Sequence, residues 1–155
     1  MLRAPVMKRI LVIEDQAPMR RNLALLLELE GYTVLTAPDG RAGVETARRE
    51  KPDLVICDIM MPELDGHGVV RALRSERETA LLPFIFLTAK GEKDDVRAGM
   101  QYGADDYLTK PVIREDLLVA VKTRLARAEV AQELVAAAAA LGGFHPDFSA
   151  PEPLR

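Results

Sequence analysis

Short apolar segments, each followed directly by a polar side chain, recur along this chain of 155 residues. Residues 10–13 precede Glu14, residues 54–57 precede Asp58, and residues 84–87 precede Thr88. Continuous apolar segments of this kind are typical of strands that are buried on both faces, as in a parallel sheet. The sequence therefore predicts a central sheet whose strands end in side chains capable of chemistry.

Helical patterns alternate with these strands. One helix opens at Pro18 and closes at Gly31, and Asp39 can cap the next one. Parallel neighbours need crossover connections that carry helices, so we predict an α/β fold, a doubly wound five-stranded parallel sheet with helices on both faces. The remaining predicted elements are strands over residues 33–37 and 106–108 and helices that begin near Gly66, Glu92 and Glu115.

The last helical pattern, from about Glu115 to Leu141, is longer than the sheet beneath it requires. Apolar residues follow 3,4 spacing along it, with Gln132 as an interruption, and form a weak heptad seam. This extended last helix is therefore either a dimerising coil or a solvent-exposed, alanine-rich helix. The seam consists of Leu118, Val121, Leu125, Ala128, Val135 and Ala139.

The end of the chain is rich in proline, with Pro146, Pro151 and Pro153 after two glycines. Such composition predicts a disordered tail. We divide the chain into a folded domain and two additions that follow it. The predicted boundaries are 8–126 for the domain, 127–141 for the extension of the last helix, and 142–155 for the tail.

The formal net charge of −3 offers no overall attraction for a polyanion, and the arginine clusters sit at predicted helix ends, where solvated cations are favoured. We therefore expect no direct binding to nucleic acid. The single cysteine, Cys57, lies in an apolar segment and cannot form an intrachain disulfide, which fits a reducing, cytoplasmic setting. No segment has the length of a signal peptide core or a membrane span.

Polar side chains at the carboxyl ends of parallel strands meet at one edge of a sheet. Here they are Glu14 and Asp15 after the first strand, Asp58 after the third, Thr88 after the fourth and Lys110 after the fifth. Neighbouring carboxylates resist joint ionisation unless a cation lies among them, and hard oxygen ligands favour Mg²⁺. A carboxylate such as Asp58 can accept a phosphoryl group whose oxygens are neutralised by Mg²⁺ and Lys110.

Four motifs in this order resemble the receiver domain of two-component response regulators. They are ILVIED at residues 10–15, DIMMPELDG at 58–66, LTA at 87–89 and GADDYLTKP at 103–111, and the resemblance spans about residues 8–125. It implies a flavodoxin-like, chemotaxis-regulator-like fold with strand order 2-1-3-4-5. It also implies that a sensor histidine kinase, a phosphotransfer protein or a small phosphodonor phosphorylates Asp58.

The resemblance further implies the roles of single residues. Asp15 and Asp58 would bind Mg²⁺ through their carboxylates, with Glu14 acting through water and Met60 through its backbone carbonyl. Lys110 would contact the phosphoryl group. The Lys110–Pro111 peptide bond would be cis.

A switch is implied as well. Thr88 and Tyr107 would form its working pair, the ring turning inward as the hydroxyl moves toward the phosphate. The surface that changes would run over residues 92–102 and from Tyr107 into the last helix. A downstream effector protein or an output domain would read that surface.

Three other functions fit these residues less well. A pseudo-receiver that signals without phosphate needs none of the five polar residues at the strand ends. A Mg²⁺-dependent phosphohydrolase places its nucleophile and acid two positions apart after one strand, and a flavin module needs a Ser/Thr-rich phosphate loop; this chain has neither pattern. We expect a phosphoacceptor with self-dephosphorylation rather than a conventional enzyme, acting alone or as the N-terminal part of a longer regulator.

Overall fold

Five parallel strands form one sheet in the computed structural model, which describes residues 7–90 and 92–142. The strand order is β2-β1-β3-β4-β5, so the predicted order is confirmed. The register pairs Ile13 of β1 with Cys57 of β3, so that these two strands end side by side. The strands are β1 (Arg9–Ile13), β2 (Thr33–Ala37), β3 (Leu54–Asp58), β4 (Phe84–Thr88) and β5 (Asp106–Thr109).

Five helices connect and cover these strands. The side chain of Asp39 accepts a hydrogen bond of 2.8 Å from the amide of Ala42, and that of Asp65 accepts one of 2.9 Å from Gly68, which satisfies two free helix amides. Gly31 follows the first helix with a φ of 96°, a conformation that favours glycine. The helices are α1 (Ala17–Leu29), α2 (Gly40–Glu50), α3 (Gly66–Arg74), α4 (Lys93–Gln101) and α5 (Arg114–Ala140).

Two hydrophobic clusters lie on opposite faces of the sheet, because successive side chains of a strand point to opposite sides. On one face Leu11, Val55 and Phe86 belong to a cluster that includes residues of α2 and α3. On the other, Ile10 and Ile56 belong to a cluster that includes residues of α1 and α5. Burial on both faces explains why residues 10–13 of β1, 54–57 of β3 and 84–87 of β4 are all apolar.

The burial of residues in helix α5 contradicts part of the predicted heptad seam. Leu118, Val121 and Leu125 are buried within the chain's own fold, so they are not free to meet a second helix. Beyond them the helix runs on, and its exposed apolar side chains lie elsewhere, at Val130 and Leu134. The seam prediction was wrong in its first half because core packing and coiled coils share the same spacing.

Arg74 and His67 are half-buried and bond to other segments of the chain. Arg74 donates hydrogen bonds to the carbonyls of Gly103, Thr79 and Leu82 and pairs with Asp105. His67 lies in the first turn of α3, where its ring packs edge-on against two aromatic rings and its Nε2 is 2.8 Å from the backbone carbonyl of Asp95. Both side chains connect separate segments of the fold.

Part of the predicted organisation falls on residues that the structure does not describe. The predicted disordered tail at 142–155 lies outside the described residues, apart from Gly142. His145 lies outside them too. Across residues 7–90 and 92–142, no helix combines the length and apolar character that a bilayer crossing requires.

Candidate functional site

Backbone hydrogen bonds extend the sheet by one residue at its carboxyl edge. The amide of Glu14 donates to the carbonyl of Ala37 at 3.2 Å, and the amide of Lys110 donates to that of Thr88 at 2.8 Å. These hydrogen bonds tie Glu14 and Lys110, just beyond β1 and β5, to neighbouring strands. The polar side chains that follow the ends of four different strands therefore lie along this edge of the sheet.

Three carboxylates meet at this edge. Glu14, Asp15 and Asp58 each offer one oxygen such that all three oxygens lie within 4.8 Å of one another. Glu14 and Asp58 are buried, while Asp15 is half-buried. The structure thus brings together the three acids that the sequence pattern predicted to converge.

Glu14 is the most deeply placed of these acids. Its Oε1 accepts a hydrogen bond of 3.3 Å from the amide of Gln16, while its Oε2 is buried without a hydrogen-bond partner. Lys110 Nζ lies 3.4 Å from that Oε2, close enough for an ion pair. Burial and then the charge of Asp58 raise the pKa of Glu14 from 4.5 to about 7, although Lys110 opposes the shift.

Asp58 has both carboxylate oxygens engaged. Its Oδ1 accepts a hydrogen bond of 3.2 Å from the amide of Met60, and its Oδ2 accepts one of 2.6 Å from Lys110 Nζ. Burial lowers the pKa of Lys110, but the hydrogen bond and charge of Asp58, with a contribution from Glu14, raise it overall. The ammonium group therefore stays charged beside the two buried acids.

The backbone of Met60 lies next to Asp58, as its amide contact requires, and its side chain is exposed. Ligation by the Met60 carbonyl stays a prediction. The Lys110–Pro111 peptide bond is cis, as the resemblance implies.

Thr88 and Tyr107 lie on neighbouring strands. The hydroxyl of Thr88 is buried and donates to the carbonyl of Ala89 at 3.3 Å. Tyr107 pairs with Phe86 in the sheet register, and 45% of its surface is exposed. The ring is therefore directed outward while the hydroxyl is occupied by a local backbone partner.

Two residues that shape the site were not singled out from the sequence. Arg20 Nη1 donates to the carbonyl of Glu14 at 2.8 Å and thereby holds the turn between β1 and α1. At Gly66, a Cβ would lie 2.5 Å from the carbonyl oxygen of Asp58, so the chain passes too close for any side chain. Gly66 was within a quoted motif, whereas nothing in the sequence pattern pointed to Arg20.

The donor set fits a hard divalent cation. It consists of carboxylate oxygens, and one of them, Glu14 Oε2, is buried without a hydrogen bond. The ammonium group of Lys110 contacts two of the three acids, Glu14 and Asp58, so a further positive charge would relieve the remaining repulsion. Oxygen donors without nearby thiolate or imidazole suit Mg²⁺ or Ca²⁺ better than softer metals.

Comparison with known proteins identifies similar chains. A family model described as the response regulator receiver domain matches residues 10–122. The alkaline phosphatase synthesis transcriptional regulatory protein PhoP of Bacillus subtilis is 42% identical over 80% of this chain and 51% of its own length. Protein PilH of Pseudomonas aeruginosa is 43% identical over 77% of this chain and 99% of its own length.

Solved structures share the architecture. The receiver domain of sensor histidine kinase PA1611 from Pseudomonas aeruginosa superposes with a TM-score of 0.73 at 30% identity, covering 78% of this chain and 99% of that one. That structure has a magnesium ion coordinated in its active site cleft. The chain spans about half the length of PhoP. It also spans about half the length of two relatives from Galdieria sulphuraria and Pyropia yezoensis, each described as a probable transcriptional regulator.

Proposed function

The chain belongs to the response regulator receiver domain family, whose model covers residues 10–122, and we propose that it is a phosphorylation-dependent switch with Asp58 as the phosphoacceptor. One observation carries the proposal. A buried carboxylate, Asp58, lies among two further acids and accepts a hydrogen bond of 2.6 Å from Lys110. This arrangement holds a nucleophile beside a fixed positive charge.

Mg²⁺ is the proposed cofactor. Asp15 and Asp58 would hold it directly, Glu14 through water, and Met60 through its backbone carbonyl. When bound, the ion supplies positive charge to the oxygens of the incoming phosphoryl group. The buried Oε2 of Glu14, which has no hydrogen bond of its own, supports this assignment.

In the transfer itself, a carboxylate oxygen of Asp58 forms a bond to phosphorus, and the bond between phosphorus and the donor atom breaks. The donor atom is a histidine nitrogen of the kinase or an oxygen of an acyl phosphate. The product is an acyl phosphate on Asp58. Lys110 moves its hydrogen bond from the carboxylate to a phosphoryl oxygen, so its charge follows the new anion. Hydrolysis of the same acyl phosphate by water returns the starting state, which makes the domain self-dephosphorylating.

Readout passes through Thr88 and Tyr107. The Thr88 hydroxyl leaves the carbonyl of Ala89 and donates to the phosphoryl oxygens, and the ring of Tyr107 turns into the space that this movement opens. The exposed ring and the local partner of the hydroxyl support this as the unphosphorylated arrangement. Phosphate would then favour one conformer through contacts that the other lacks.

The proposed partners follow from the same chemistry. A sensor histidine kinase or a phosphotransfer protein supplies the phosphoryl group in the cytoplasm, and an effector protein or an output domain reads the changed surface. Because the chain spans about half of relatives such as PhoP, an output domain on a longer regulator is the first candidate. We expect no direct contact of this chain with nucleic acid.

We also propose a homodimer through α5, which would form through exposed residues that differ from the predicted heptad seam. Val130 and Leu134 are 55% and 66% exposed, and Leu141, directly after the helix, is 89% exposed. Their spacing places them along one side of the helix extension. Size-exclusion chromatography with light scattering tests this, and a monomer with and without phosphorylation would remove the dimer.

The direct test of the switch is incubation with acetyl phosphate and Mg²⁺ followed by intact mass measurement. The unchanged chain should gain one phosphoryl group, and Asp58→Asn should gain none. Asp53→Asn, an acid at the opposite end of the same strand, is the matched control and should be modified like the unchanged chain. An unmodified wild-type chain would instead favour the phosphate-independent pseudo-receiver.

A further inference from the structure

Helix α4 is held against the fold by little buried surface of its own. Of its nine residues, all of which the structure describes, only Gly99 is buried. Helix α3 has the same length and buries four residues, Gly66, Val69, Val70 and Leu73. A helix as short as α4 is not stable alone in water, so tertiary contacts decide where it lies.

One contact that positions α4 comes from His67, in the first turn of α3. Its Nε2 lies 2.8 Å from the backbone carbonyl of Asp95, in the first turn of α4. A carbonyl oxygen only accepts, so Nε2 carries a proton and donates it. The same ring packs edge-on against Phe86 of β4 and against Tyr102, which directly follows α4, with centroids 5.6 Å apart in both pairs. His67 therefore contacts both ends of α4 and a strand of the sheet.

Arg71 adds a second contact one helical turn further along α3. Its guanidinium carbon lies 4.9 Å from the centroid of the Tyr102 ring, which is the geometry of a cation–π interaction. Residues four apart lie on the same face of a helix, so His67 and Arg71 approach α4 from one side. Together they hold α4 at Asp95, near its start, and at Tyr102, just after its end.

The start of α3 packs directly on the backbone of Asp58. The amide of Gly66 donates to the carbonyl of Ile59 at 2.8 Å, and a Cβ at Gly66 would lie 2.5 Å from the carbonyl oxygen of Asp58. Because no free space separates these groups, a displacement of the Asp58 backbone would carry the start of α3 with it. N–H···O hydrogen bonds span about 2.7–3.2 Å, so a shift of roughly 0.5 Å at His67 is enough to weaken its bond to Asp95.

We propose that His67 and Arg71 form a clamp on α4 and that phosphorylation of Asp58 releases it. The clamp would hold the surface at residues 92–102 in its unphosphorylated position, so this role rests on the proposed function. A contact that one conformer makes and the other lacks shifts the balance between the two conformers. The clamp reaches α4 through α3, whereas Thr88 and Tyr107 act from β4 and β5.

Hydrogen exchange of the unphosphorylated full chain tests the clamp. His67→Phe keeps a ring and loses the donor, so the amides of α4 should exchange roughly twofold to tenfold faster, as expected for one lost hydrogen bond. Arg71→Gln should accelerate them about twofold to fivefold. His67→Gln, whose amide nitrogen can donate in place of Nε2, should recover most of the protection. The matched control is Arg97→Gln at an exposed position of α4, which should exchange like the unchanged chain. Unchanged exchange of α4 in His67→Phe, or equal acceleration in α2, would overturn the clamp.

The same measurement on the phosphorylated chain tests the release. With acetyl phosphate and Mg²⁺ in excess, α4 of the unchanged chain should exchange as fast as in the double variant His67→Phe, Arg71→Gln. Phosphorylation of that double variant should add little, because the contacts are already lost. Asp58→Asn should show no acceleration.

Intact mass measurement of the same samples separates two failures. If the chain gains a phosphoryl group and α4 keeps its protection, the release is overturned while the phosphoacceptor role of Asp58 stands. If the chain gains none, the phosphoacceptor role is overturned and the release with it.

Discussion

The ammonium group of Lys110 donates a hydrogen bond of 2.6 Å to Oδ2 of Asp58 although the two residues are 52 positions apart. The same nitrogen lies 3.4 Å from Oε2 of Glu14. Lys110 is therefore the internal counter-ion of the acidic cluster. In the proposed reaction it is also the group that receives the phosphoryl oxygens, and these two roles predict opposite effects when it is removed.

Lys110→Ala should slow phosphorylation by acetyl phosphate and strengthen Mg²⁺ binding. A charge-assisted hydrogen bond of about 1.5–3 kcal/mol corresponds to a rate loss of roughly tenfold to a hundredfold. The cation should bind more tightly because the competing ammonium group is gone. Intact mass against time and calorimetric titration measure the two effects, with the exposed Lys122→Ala as the control. Weaker Mg²⁺ binding by Lys110→Ala would contradict the counter-ion role.

The stability of the metal-free chain should depend on Glu14. Because folding raises its pKa from 4.5 to about 7, the folded state holds a proton that the unfolded state releases. The free energy of unfolding should therefore fall as pH rises through this interval. Urea denaturation between pH 5 and 8 (roughly the interval between the two pKa values) in the presence of a chelator measures the slope. Glu14→Gln should flatten it, and the exposed Glu28→Gln should not.

Added Mg²⁺ should remove this pH dependence, because the cation favours the ionised carboxylate of Glu14 and competes with the proton. In excess Mg²⁺ the Glu14 carboxyl is ionised in both the folded and the unfolded state over the same interval, so the stability of the unchanged chain should hardly change with pH. Equal slopes with and without the cation would show that Glu14 does not take part in its binding.

Thr88→Val should leave phosphorylation intact but uncouple Tyr107 from it. Valine keeps the size of threonine and loses the hydroxyl that would donate to the phosphate. With 3-fluorotyrosine in the three tyrosine positions, the fluorine signal of Tyr107, assigned by Tyr107→Phe, should move on phosphorylation of the unchanged chain only. Tyr32, on the far side of the sheet order, serves as the internal reference. A Tyr107 signal that moves equally in Thr88→Val would argue against the pair.

Gly66→Ala should destabilise the fold and impair the site. A Cβ there would meet the backbone of Asp58 and Ile59, at 2.5 Å from the carbonyl oxygen and 2.8 Å from the Cα, and neither atom can turn away. The expected cost is about 1–3 kcal/mol, typical of overpacking. Gly68→Ala in the same helix meets mainly the flexible end of Leu64, and its cost should be offset by the gain in helix propensity. Urea denaturation of both variants, compared at one pH, checks the difference.

The sequence predicted the sheet and the meeting of the three acids, because both depend on where apolar segments end. Strand β3 was predicted to stop at Asp58, and the parallel order then required that acid to meet those after β1. The local geometry of the individual acids was harder to predict from the sequence. No pattern distinguishes Glu14, whose carboxyl is buried without a hydrogen bond at one oxygen, from an acid that is merely near the edge.

Arg74 illustrates a different limit. Its partners are backbone carbonyls in irregular segments, among them Leu82 and Gly103, and a carbonyl carries no signature in the sequence. The heptad seam failed for a third reason. Val121 and Leu125 follow the spacing of any helix with one apolar face, and that spacing does not reveal whether the face meets a sheet or another helix.

The acidic cluster and its counter-ion come from three strands that are distant in sequence, β1, β3 and β5, and they meet only when the sheet is paired to its edge. The cluster and its counter-ion are therefore complete only when β5 has paired with β4. Under the proposed function, a chain whose β5 is absent or unpaired would lack Lys110 beside Asp58 and should accept a phosphoryl group poorly. The proposed activity would in this sense report that the whole sheet has formed.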